Sequence, residues 1–189
     1  GPPRLGLSNL GKRGEKFSTD TFVTGTQLSF PASEAEEIAK LDGVESVAAA
    51  LTVNALHISG TVPEEQPQDF RGGAPPASGQ GGPPRSINFQ PVTVTGVDQT
   101  KPELGAVTPG QILSGRWFSE SETSHEAVLN RAYARRKGIE IGEKVKFKDT
   151  SFKVVGLSKT PLGGSASDVY LKLGQLQRLS DRKGRANQL

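Results

Sequence analysis

Between Glu126 and Gly156 the chain reads EAVLNRAYARRKGIEIGEKVKFKDTSFKVVG. Few folds satisfy that order of patterns. The apolar run Ala127-Val128-Leu129 leads into a helix-like segment that Gly138 stops. Gly142 then turns the chain into two alternating stretches, Glu143 to Lys148 and Ser151 to Val155. A two-residue turn at Asp149-Thr150 would set Phe147 against Phe152 and Val145 against Val154 on one face. Lys146 and Lys153 would lie on the other face. Such a strand–helix–hairpin unit presents surfaces and carries no chemistry of its own.

Upstream, residues 1–19 mix Gly, Pro and basic residues and are expected to form a flexible arm. Thr21 to Phe30 alternates as a strand would, and Pro31 ends it. Ser33 with Glu36 has the spacing of a capping box, and Glu34, Glu36 and Glu37 load the first turn of a short helix. Gly43 is its expected stop. Val44 to Ile58 reads as a long strand, with Val47, Ala49, Leu51, Val53 and Ala55 on one face and a change of phase near Ala55. Residues 61–86 hold six prolines and five glycines with almost no large apolar group. That composition buries too little surface to offset chain entropy, so a disordered loop is expected there. Strands are expected again at Ile87–Asp98 and Asp168–Leu173. Gly110–Phe118 reads as a turn and a short edge segment in which Trp117 and Phe118 anchor a second core. A short helix at Gln175–Leu179 and a last strand at Ala186–Leu189 complete the pattern. No repeat of fixed period is present.

The chain opens Gly1-Pro2 and contains no methionine, as expected of a piece of a longer reading frame. It has no cysteine, which excludes disulfides, thiolate metal sites and thiol nucleophiles. A net charge of +3 is too mild to argue for nucleic acid, and no basic stretch is interleaved with aromatic residues. The basic clusters Arg131–Lys137 and Arg178–Arg185 read as solvated helix faces, the second with the alternative of an anionic membrane surface. The two histidines, His57 in an expected strand and His125 in a Ser/Glu-rich loop, make a poor start for a metal site. The run Ser119–Glu126 lacks the regular carboxylates and turning glycine of a calcium loop and reads as solvated. No GxSxG elbow is present. Gly79–Gly82 and Gly163-Gly164-Ser165 lack the Lys-Ser/Thr of a phosphate cradle. Asp42 with Glu45, and Glu140 with Glu143, are explained by helix-end and turn roles. Aromatic residues make up only 6% of the chain, too few to line a sugar-binding cleft. No catalytic, cofactor-binding or metal-ligating residues are therefore nominated, and no cofactor is expected.

The order of the segments carries more than any of them singly. AEEIAKLDGVESVAAAL, VTVTGVD, GQILSGRWF, AVLN, GIEIGEKVKF, FKVVG and DVYLKLGQLQRL follow one another across residues 20–189. In this order they resemble the MacB-like periplasmic core domain of ABC-transporter permeases of the FtsX-like family. The resemblance implies an α+β fold of two subdomains. One would be a porter-like split β-α-β layer built from both chain ends (20–60 and 164–189). The other would be an inserted, mainly-β subdomain (87–163). The loop at 61–86 departs from the family pattern. The resemblance further implies a non-catalytic extracytoplasmic domain at the cell membrane. It would couple a separate cytoplasmic ATPase to export or to an external partner by mechanical transmission. The partners implied are the cognate ATPase, a second permease protomer, and an external protein or a peptide or lipid cargo. A free-standing extracytoplasmic ligand- or peptide-binding module is the alternative. The isolated chain is expected to be monomeric or weakly dimeric.

Overall fold

The computed structural model describes residues 15–61, 87–160 and 166–189. The strands, in chain order, are β1 (Lys16–Val23), β2 (Phe30–Pro31), β3 (Leu51–Thr61), β4 (Ile87–Val97), β5 (Ile112–Gly115), β6 (Glu126–Asn130), β7 (Lys144–Phe147), β8 (Thr150–Ser158), β9 (Val169–Lys172) and β10 (Arg185–Ala186). The helices are α1 (Glu34–Ile38), α2 (Arg131–Lys137) and α3 (Leu173–Leu179), with one 3-10 turn at Pro109–Gln111. The fold is mixed α+β. Its main sheet runs β1-β3-β4-β9-β6-β8-β5, with β7 also paired to β8, and β10 pairs with β2 in a small second sheet.

Two compact units divide the chain, residues 1–20 with 57–90 and residues 21–56 with 91–189. Within the first, the described residues are the outlying segments of β1, β3 and β4, and Ile58 is buried. The second unit holds three apolar clusters. One face of the sheet buries Leu51, Val53, Leu129, Phe147, Phe152, Val154 and Leu171 together with Leu176 of α3. The opposite face buries Val97, Val107, Phe118, Val128, Val155 and Tyr170, with Trp117 packed against them. A third, small cluster joins Ala35 of α1 to Ala49 and Ala186.

Several elements differ from the sequence reading. The first strand starts at Lys16 and ends at Val23, because the Thr26 hydroxyl accepts the Leu28 amide at 3.0 Å and bends the chain after Gly25. Ser33 precedes α1 but adopts helical angles and makes no side-chain cap, so the expected capping box is not formed. The helix ends at Ile38, well before Gly43. The segment from Val44 to Ala49 is irregular, and the strand begins only at Leu51. Along that strand the buried positions do change phase between Ala55 and Ile58. The loop expected at 61–86, apart from Thr61, and the arm up to Gly14 lie outside the described residues.

The helix expected after Leu129 is α2. The Asn130 side chain accepts the Ala132 amide at 2.9 Å, and Gly138 closes the helix with φ 67°. In the hairpin, however, the turn is Lys148-Asp149. Phe147 pairs with Thr150, Val145 with Phe152, and Lys144 with Lys153. Lys148 takes the positive φ of 49° that the turn needs, and its ammonium bonds Leu179 O at 2.7 Å and Asp181 at 3.1 Å. The shift leaves the facing assignment intact: aromatic and aliphatic groups point inward, lysines outward.

Strands β7 and β5 follow one another along the same side of β8, opposite β6. The β5 end of that edge is held by tight backbone contact. A Cβ on Gly115, whose φ is 81°, would stand 2.3 Å from Val155 O. Gly115→Ala should therefore destabilise the domain by roughly 2–3 kcal/mol, from the left-handed backbone and the forced displacement together. Urea unfolding checks this, and an effect below about 0.5 kcal/mol would mean that the β5 edge is free to shift.

Candidate functional site

The register of the main sheet places a row of residues side by side on one face. Val97 is opposite Lys172, Glu126 lies beside both Lys172 and Lys153, and Lys153 is opposite Lys144. The middle of this row is covered by the segment 119–125, and there a charged pair is closed off from water. Lys172 is fully buried and Glu126 is 5% exposed. Burial of two charges is tolerable only where every donor and acceptor is matched.

That condition is met for the two charged groups, while Gln175 Oε1 beside them is buried without a partner. Lys172 Nζ donates to Ser121 O at 2.6 Å and Ser124 Oγ at 2.7 Å, with Ser119 Oγ and Glu126 Oε2 both at 3.2 Å. Glu126 Oε2 accepts the Ser119 amide at 2.7 Å and its hydroxyl at 2.9 Å. Glu126 Oε1 accepts from Arg116 at 2.5 Å. Gln175 of α3 donates to the carbonyls of Glu122 and Ser124 at 3.0 and 2.9 Å, and Gln99 donates to the Glu122 carboxylate. Burial alone would raise the pKa of Glu126. The Arg116 guanidinium, the Ser119 amide and hydroxyl and the Lys172 ammonium outweigh it and hold the carboxyl at about 2.

A serine hydroxyl within 2.7 Å of a lysine invites comparison with a Ser–Lys nucleophile. The bonding argues otherwise. The ammonium donates to a carbonyl, two hydroxyls and a carboxylate, which leaves no lone pair to take a serine proton. The arrangement is a clamp that ties the 119–125 segment to β6, β9 and α3. The sequence reading of Ser119–Glu126 as a solvated loop holds for Glu120 to Thr123 and for His125, which are exposed, and is corrected for Ser119, Ser124 and Glu126, whose side chains turn in toward Lys172. Ser119 and Ser124 turn inward, and Ser121 contributes its carbonyl, because a buried lysine needs neutral acceptors, and no spacing rule announces that need.

A second constellation also escaped the sequence. In the first unit His57 Nδ1 lies 2.7 Å from Asp20 Oδ1, and His57 Nε2 lies 3.3 Å from Ser18 Oγ. The atom order is that of a Ser–His–Asp relay. Ser18 and Asp20 are alternate residues of β1 and so share a face; only the pairing of β1 with β3 brings His57 between them. Consecutive amides of an extended strand point in opposite directions, so β1 offers no converging pair to hold an oxyanion beside Ser18.

The other sequence candidates are placed as follows. His125 precedes β6 with its ring 5.2 Å from that of Phe152. Glu143 accepts the Glu140 amide at 2.6 Å, a turn role. Arg136 bonds Asp168 at 3.1 Å and lies over the Tyr133 ring. In the other basic cluster, Arg185 bonds Ser29. The glycine runs at 79–82 and 163–164 lie outside the described residues. Among the described residues no three His, Cys, Asp or Glu side chains are grouped as metal ligands.

Residues 8–188 match the family described as the MacB-like periplasmic core domain. The chain belongs to that family. Its fold is shared by the extracellular domain of the noncanonic ABC-type transporter YknZ from Gram-positive bacteria, which aligns at 14% identity and TM-score 0.53, over 92% of this chain and 80% of that one. Two further solved structures align more loosely. The periplasmic region of MacB from Actinobacillus actinomycetemcomitans does so at 13% identity and TM-score 0.43, over 96% and 91%. A domain of a putative permease protein from Porphyromonas gingivalis does so at 10% identity and TM-score 0.47, over 91% and 74%. No curated protein matches the chain. No helix of the described residues is long and apolar enough to cross a membrane.

Proposed function

We propose that this chain is the extracytoplasmic domain of an ABC-transporter permease subunit. In this reading it is non-catalytic, and ATP is hydrolysed by a separate cytoplasmic subunit. The family match over residues 8–188 carries the reading. The buried Lys172–Glu126 clamp supports a mechanical role, because it joins two strands, a helix and a surface segment into one stiff body. A stiff body transmits displacement; a loosely packed one absorbs it. The partners that follow are the cognate ATPase, a second permease protomer and an external protein or cargo. The two-subdomain division, 20–60 with 164–189 against 87–163, belongs to the same proposal.

Because the chain has no cysteine, a thiol introduced here is unique within it. Ser151→Cys, an exposed position on β8, should react with a membrane-impermeant maleimide in intact cells expressing the whole permease. Labelling only after lysis would sink the location. Spin labels at the same position should report a change in the distance between protomers when the ATPase is trapped with nucleotide. An unchanged distance would remove the coupling while leaving the location intact. A parent protein with only one signal or anchor segment would instead favour a free-standing binding module.

A further inference from the structure

The outer edge of the hairpin has an unusual combination of backbone and charge. Strand β7 pairs with β8 alone. Phe147 and Thr150 flank a two-residue turn and so form a hydrogen-bonded pair. Alternation along the ladder then turns Val145 inward, in step with the bond from the Val154 amide to Glu143 O at 2.8 Å. The amides and carbonyls of Lys144 and Lys146 consequently face away from β8, where no strand of the described residues meets them.

The side chains of the same two residues are exposed, as is that of Lys153, directly opposite Lys144. No ion pair or hydrogen bond engages any of the three side chains among the described residues. Like charges directly opposite one another destabilise a sheet. On the other face of the strand, Val145 and Phe147 stand at the margin of the apolar core, 8% and 7% exposed, with the Phe22 ring of β1 6.2 Å from that of Phe147 and completing the margin there. A strand laid along this edge would thus meet cations on one face and an apolar margin on the other.

We propose that β7 is a docking edge for an extended segment of a partner protein in which acidic and apolar residues alternate. The segment would bond the outward amides and carbonyls of Lys144 and Lys146. Its acidic side chains would lie beside the lysines, and its apolar ones would extend the margin at Val145 and Phe147. A second copy of this chain is disfavoured at the same edge, since β7 against β7 sets lysines beside lysines. Lysines on an edge strand also serve simply to repel other strands, and the experiment separates the two roles. The inference does not depend on the permease reading.

The probe is the synthetic peptide acetyl-Glu-Val-Glu-Val-Glu-Val-amide, titrated into the 15N-labelled chain. The control peptide has the same composition in the order Glu-Glu-Glu-Val-Val-Val. The alternating peptide should slow hydrogen exchange at the Lys144 and Lys146 amides, and the control should not. Lys146→Pro removes an outward amide without touching the β7–β8 ladder and should abolish the effect. Lys144→Ala should weaken binding roughly two- to five-fold, as the loss of one cross-strand charge pair predicts. Equal binding of both peptides, exchange unchanged at millimolar peptide, or retention of binding by Lys146→Pro would each overturn the proposal. So would a dimer by light scattering that Lys146→Pro dissolves, since the occupant would then be a second copy.

Discussion

Lys172→Met should lower the free energy of unfolding by about 3–5 kcal/mol. Methionine fills a similar volume but leaves the Glu126 carboxylate, the Ser124 hydroxyl and the Ser121 carbonyl without the cation that they surround. Removing one partner of a buried pair has effects of that size because the remaining charge loses its buried counter-ion; Glu126 keeps only the largely exposed Arg116 guanidinium as a cationic partner. Urea unfolding of the two proteins measures the difference. Amide exchange should also quicken across 119–125, the segment that the ammonium holds down. A loss under about 1 kcal/mol would show that water replaces the ammonium, and the clamp would then be no clamp.

Acid should release the same lock from the other side. Glu126 has a carboxyl pKa of about 2 in the folded chain against 4.5 for the free side chain. The folded value is depressed, so the unfolded chain takes up the proton first as the pH falls. The stabilisation is complete above about pH 4.5 and is lost progressively down to about pH 2. At about 1.36 kcal/mol per unit, its full extent is about 3 kcal/mol. Other carboxylates titrate in the same window, so the informative quantity is the difference between the natural chain and Glu126→Gln. Denaturation followed from neutral pH down to about pH 2 should show a steep decline in the first and a shallower one in the second. Parallel curves would mean that the carboxylate gains nothing from Arg116, Ser119 and Lys172.

The hairpin shows which parts of the architecture are open to inspection in the sequence. Alternation places Val145, Phe147, Phe152 and Val154 on one face, because period two is a property of the strand itself. The same pattern puts the turn one residue too late. Asp149-Thr150 has the more ordinary turn composition, while Lys148 accepts its left-handed backbone through contacts with Leu179 and Asp181, 31 and 33 residues away. The clamp is hidden for the same reason. Ser119, Ser121 and Ser124 look like any polar loop until Lys172, about fifty residues on, is seen to need acceptors. The Ser18–His57–Asp20 contact depends on which strand neighbours which. Local pattern fixes what a segment is; these three cases turn on what it meets. The family resemblance is legible because it rests on the order of local patterns, and the match over residues 8–188 agrees with it.

Residues 185–188 complete the margin of β3 and of the segment just before it. Both the amide and the carbonyl of Thr52 bond the side chain of Asn187 at 2.9 Å, 135 positions later. Ala50 bonds Asn187 and Gln188, and Ala186 pairs with Phe30. As the chain emerges where it folds, therefore, the start of β3 waits with its margin unsatisfied until residues 185–188 have followed it. Contacts of such long span form slowly, and an unpaired margin is where premature association begins. Ala50 and Thr52 are therefore the place where another strand could add before Asn187 arrives to close it.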